Sequence, residues 1–202
     1  MFFNKHIKQG EQLGSECLAM IKRCFAFDRG LDFEQNTFTP PADFFDDLYI
    51  RGFIASWIAY LIEFDFNGVN WKTEKKGECV HAAMKTIDPS GKLYDHHLSL
   101  VDLAVRERVL GSDDFKKGQN DAISWVGTLY QRLPENDPDP LIQEAKQLAK
   151  TLDKEVHPIG TRQERTLGAL GAAFFMLTIF KYVKRKWSPD IPHDTMSTNT
   201  SI

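Results

Sequence analysis

The sequence predicts an all-α protein: a single compact multi-helix domain of six to eight helices, bundle-like, over residues 1–187, with a flexible polar tail over 188–202. Three observations point there. All nine prolines fall between periodic segments rather than inside them. The segments they leave are too long for strands and lack β-branched runs. Hydrophobic residues make up 42% of 202 residues, enough apolar material for one well-filled core and no more than one domain by length.

The first helix is expected from Glu11 to Phe27, where Leu13, Cys17, Met20, Ile21 and Cys24 recur at helical spacing. An acidic loop follows, with six carboxylates and the single cation Arg29 between Asp28 and Asp47. Thr39 reads as an N-cap and Pro40 as the first helical residue of the second helix. That helix carries Phe44, Phe45, Leu48, Phe53, Ile54, Trp57, Ile58, Leu61 and Ile62, and is uncharged from Gly52 to Ile62. It is apolar nearly all round, so it should be the central buried helix, ending at Gly68.

A third helix spans about Trp71 to Ile87, with Val80, Met84 and Ile87 facing inward, and the turn Asp88-Pro89-Ser90-Gly91 closes it. Asp95 caps a fourth helix that ends at Gly111, and Ser112 caps a fifth whose stripe is Phe115, Ala122, Val126, Leu129 and Leu133. Asp139 and Pro140 open a sixth, with Leu141, Ala145, Leu148 and Leu152 inward. Thr161 and Glu164 form a T-x-x-E capping box for a last helix running to about Trp187.

Net charge is −3, so no basic excess exists to neutralise phosphates, and a nucleic-acid partner is not expected. The N-terminus has no apolar stretch of the roughly 7–15 residues a signal peptide requires. Three cysteines are too few for a disulfide scaffold, and Cys17 and Cys24 lie about 10 Å apart along one helix. Reduced thiols in a cytoplasmic protein are the simplest reading.

Phosphate-cradling glycine loops, nucleophile elbows and paired-cysteine zinc motifs are absent. Glu78-Cys79-Val80-His81 is one E-x-x-H, the local unit of a carboxylate-bridged two-metal site, with Glu63 as a conceivable outside carboxylate. A composite site of His81, His97 and Asp102 could hold iron, manganese or zinc if the third and fourth helices run antiparallel. The bland reading is a polar helix start at Asp95-His96-His97, with Asp102 pairing with Arg106 one turn on. Cys79 reads as a buried thiol, and Glu63 and Asp65 diverge too far round the helix to share a proton.

The function expected is a non-catalytic interaction or regulatory module that needs no cofactor and self-associates as a homodimer. Gly168, Ala172, Phe175 and Ile179 share one face of the last helix, while Leu167, Leu170, Phe174 and Leu177 line another, so the helix wants partners on two sides. The first alternative is a metal- or ligand-binding bundle enzyme using His81 with carboxylates from neighbouring helices. The second is peripheral membrane contact through the apolar last helix and its basic run Lys181, Lys184, Arg185 and Lys186, cations that the helix dipole also favours.

Overall fold

The computed structural model describes residues 5–28, 40–64, 71–93, 103–130, 138–155 and 162–187. Among them stand seven α-helices and no strand: α1 (Lys5–Asp28), α2 (Leu48–Phe64), α3 (Thr73–Ile87), α4 (Leu103–Gly111), α5 (Asp113–Tyr130), α6 (Pro140–Glu155) and α7 (Arg162–Trp187). The all-α bundle expected from the spacing is the fold.

The centre is α2. Every residue from Arg51 to Ile58 is buried, and Trp57 is 1% exposed, its ring against Phe53 and Phe175 at centroid distances of 5.9 and 5.6 Å. Around it the helices pack mainly in three pairs: α2 with α5, α1 with α3, and α6 with α7, the last also leaning on α1.

Two of these pairs depend on glycine. A Cβ on Gly52 of α2 would overlap the carbonyl oxygen of Phe115 on α5, and one on Gly118 of α5 would overlap that of Tyr49 on α2. Likewise Gly10 and Gly14, one turn apart on α1, lie against the carbonyls of Cys79 and Ala83 on α3. At each crossing the missing side chain lets backbone meet backbone where side chains would otherwise hold the helices apart.

The helix boundaries differ from expectation where tertiary contacts decide them. Pro40 lies outside any helix, Phe44–Asp46 forms one 3-10 turn, and α2 starts at Leu48. Its cap is Asp47 rather than Thr39: Asp47 Oδ1 accepts the Ile50 N–H at 2.8 Å, satisfying a first-turn donor. Asp139 does cap α6, accepting the Leu141 N–H at 2.8 Å. The inward stripe of α6 is Ile142, Ala145, Ala149 and Leu152, with Leu141 and Leu148 only half-buried. After α3, Gly91 takes φ 88°, and buried Asp88 binds the turn through the N–H groups of Ser90 and Leu93. The expected helix start at Asp95 and the capping threonine Thr161 lie outside the described residues.

The closing helix is apolar on two sides, and much of both is buried within the chain. Phe175 and Ile179 are 0% exposed, packed into the same core as α2, so two of the four expected interface residues are core residues. Ala172 is half-buried, and Gly168 is exposed with nothing within 4 Å of a Cβ built on it. The physical reason is the central position of α7: α6, α1 and α5 all pack on it.

Two predictions follow from this packing. Trp57→Ala should cost about 3–5 kcal/mol in a denaturant titration, because the cavity it leaves is walled by rings that cannot collapse into it. Gly52→Ala and Gly118→Ala should each destabilise by about 1–3 kcal/mol through overpacking, whereas Gly77→Ala, where a Cβ meets nothing within 4 Å, should stabilise by about 0.5–1 kcal/mol through helix propensity. Equal effects at the two kinds of position would mean that the helices do not approach so closely.

Candidate functional site

The α2–α5 crossing does more than close the core. Tyr49 lies three residues before Gly52, and Lys117 and Asp121 flank Gly118, so the close approach brings these three side chains together. The Tyr49 hydroxyl donates to Asp121 Oδ2 at 2.9 Å, and Lys117 Nζ donates to the same oxygen at 2.6 Å. From α7, Tyr182 lies on Tyr49 with centroids 4.2 Å apart and planes 16° from parallel. Lys117 Nζ sits 5.3 Å over the Tyr49 ring and the Arg185 guanidinium 5.2 Å over the Tyr182 ring. Two stacked rings thus each carry a cation within the range at which ring quadrupoles attract charge.

Beside this stack lies an open cavity of about 330 Å³. Trp125, stacked on Phe174 at 4.5 Å, forms part of its wall, and Lys181 part of its rim. The volume is at the lower end of the ~300–1,000 Å³ typical of small-molecule sites.

A second polar centre anchors the stack from below. Asp47 is 7% exposed; besides capping α2 it accepts the Tyr182 hydroxyl at 2.9 Å and pairs with Lys186. Arg51 donates to the Phe45 carbonyl and, at 3.2 Å, to Asp46. Lys92, bonded to Asp46 at 2.7 Å, holds that carboxyl below its usual range. Burial, followed by the neighbouring Asp121, pushes the Tyr49 phenol up. Burial and the hydrogen bond to Asp47 do the same for Tyr182. Both hydroxyls therefore stay protonated as donors.

The residues expected to carry metal or thiol chemistry fare differently. Of the composite set, His81 is half-buried on α3, with its pKa lowered by burial and by Lys85, while His97 and Asp102 lie outside the described residues, as do Asp95, His96 and Asp65. Glu78 is paired with His6 of α1, and Glu63 with Lys76 at 2.6 Å, so both carboxylates are engaged by other side chains. Among the described residues no three His, Cys, Asp or Glu side chains converge as a metal would require. All three thiols are free and buried. Burial pushes Cys17 and Cys24 up to about 12 and Cys79 to about 11, which removes the thiolate that a nucleophile requires.

The basic run at the end of α7 is largely engaged within the chain, Lys181 with Glu144 at 2.6 Å and Lys186 with Asp47. No helix among the described residues is long and apolar enough to cross a membrane.

Fold and site thus define an all-α bundle with an aromatic, cation-lined cavity. Compared with known proteins, the chain matches no protein-family model, no curated protein and no solved structure. The site was not singled out by sequence reasoning. The signals it does leave are glycines inside two long helices, and an aromatic and a cation three residues apart, Tyr182 and Arg185, on one face of α7.

The thiols give the alkaline behaviour a definite sign. Each has a folded pKa above its ordinary value of 9.0, so its contribution to stability is complete below pH 9 and is lost as pH rises toward 12. Unfolding titrations across this window should show stability falling by about 1.4 kcal/mol per pH unit for each buried thiol. Cys17→Ala should flatten that limb; an unchanged slope would mean that the thiol is not buried as described.

Proposed function

We propose that the protein is a non-catalytic binding module whose recognition surface is the cavity between α2, α5, α6 and α7. The observation that carries this reading is the stacked set Lys117, Tyr49, Tyr182 and Arg185 beside a cavity of about 330 Å³. Its polar groups are suited to holding a ligand rather than to moving protons. Both tyrosine hydroxyls are committed to carboxylates and kept protonated, and the thiols elsewhere in the chain are kept from ionising. Aromatic walls supply apolar area, and a few placed cations supply orientation, which is the usual division of labour in a small-molecule site.

This reading narrows the interaction module expected from the sequence. It places recognition at the α2–α5–α7 junction, because Phe175 and Ile179 of the expected dimer face are occupied in the core.

A fragment screen read by protein-observed NMR tests it. Hits should cluster on the indole signal of Trp125 and on the ring signals of Tyr49 and Tyr182; hits confined to other surfaces would overturn the assignment. The catalytic alternative has its own check. Elemental analysis of protein purified without chelator should find no stoichiometric metal, and one equivalent of iron, manganese or zinc would favour the enzyme reading over this one.

A further inference from the structure

We infer that the ligand of this cavity is a small organic anion with a flat body, its acid group taken by Arg185 and its ring laid against Trp125. The inference rests on the binding-module reading above and specifies what that module recognises.

Charge comes first. Three cations border the cavity, Lys117, Lys181 and Arg185, against one carboxylate, Asp121. Two of the three are already matched, Lys117 by Asp121 and Lys181 by Glu144. Arg185 is different: it faces the Tyr182 ring and makes no ion pair among the described residues. A ring face attracts a guanidinium without using its N–H donors, which lie in the guanidinium plane and remain free for an acceptor. A planar fork of donors fits a carboxylate or a comparable oxyanion in bidentate fashion, and an exposed ammonium does not reproduce that geometry. With the two lysines balanced by Asp121 and Glu144, the net positive charge at the opening is that of Arg185.

Shape comes second. The Tyr49 and Tyr182 rings are occupied by each other and by the two cations. Trp125 is the large aromatic of the cavity wall that stacks on the core through Phe174 and still borders the opening. An indole held in place on one side makes a low-entropy platform for a flat group on the other. A space of about 330 Å³ admits one or two fused rings with an acid group, at the lower end of the ~300–1,000 Å³ of small-molecule sites.

The experiment uses the full chain with benzoate and 2-naphthoate, each compared with its neutral amide at fixed ionic strength. Binding is followed by isothermal titration calorimetry and by the Trp125 indole signal, assigned through Trp125→Phe. The acids should bind and shift that signal, and the amides should bind at least about tenfold more weakly, the loss of a charge-assisted hydrogen bond. Arg185→Gln should weaken acid binding by a similar factor, while Lys184→Gln, one residue away and outside the cavity lining, should leave it unchanged. Amides that bind as tightly as the acids, or equal losses in the two variants, would overturn the anion inference while leaving the binding cavity in place. If neither acids nor amides shift the Trp125 signal, the cavity reading itself falls and the inference with it.

Discussion

The structure depends on how closely α2 and α5 approach each other. Gly52 and Gly118 each place a bare Cα against the other helix's carbonyl, so the two backbones touch where side chains would otherwise hold them apart. The consequences run in both directions from that crossing. Inward, it presses the α2 sequence from Arg51 to Ile58 into continuous burial and lets Phe115 fill the core at 0% exposure. Outward, it sets Tyr49 within hydrogen-bond reach of Asp121, and so creates the floor on which the Tyr182 ring rests. A wider crossing would separate the phenol from the carboxylate and remove the ring on which Tyr182 stacks.

Asp47 performs the complementary task at the other end of the same tyrosine pair. A buried carboxylate is costly to desolvate unless its oxygens are satisfied, and this one meets that condition by serving three donors at once. One oxygen caps α2 through the Ile50 N–H; the other takes the Tyr182 hydroxyl and Lys186 from α7. The start of one helix is thereby tied to the end of another. Trp187, the last residue of α7, reinforces the tie by lying among Phe25 and Phe44. Of the cations that the helix dipole alone would favour at this terminus, Lys181 and Lys186 are thus tied to carboxylates and Arg185 lies over the Tyr182 ring.

The second glycine crossing, between α1 and α3, has structural consequences only. Gly10 and Gly14 seat α1 against Cys79, Ala82 and Ala83, burying the Cys79 thiol and bringing His6 beside the exposed carboxylate of Glu78. Within the E-x-x-H pattern, the Glu answers a histidine on another helix.

The sequence by itself determined the fold class, the approximate extent of most helices and the central place of α2. Those properties follow from hydrophobic spacing and proline placement, which are local, and a helix with an uncharged stretch from Gly52 to Ile62 has few places to go but the core. Capping was legible at Asp139, which stands before a proline at the first helical position, and not at Asp47, whose carboxylate is also held by Tyr182 and Lys186 from 135 and 139 residues away. The small-residue spacing was legible as a pattern but not as a contact. Gly168 and Ala172 display it at a surface, while Gly10, Gly14, Gly52 and Gly118 use their missing side chains at crossings. Only the tertiary structure decided which glycines meet a backbone, and with them the cavity. Its stack joins Lys117, Tyr49, Tyr182 and Arg185 from three helices, and no periodicity within one segment encodes how closely two segments approach.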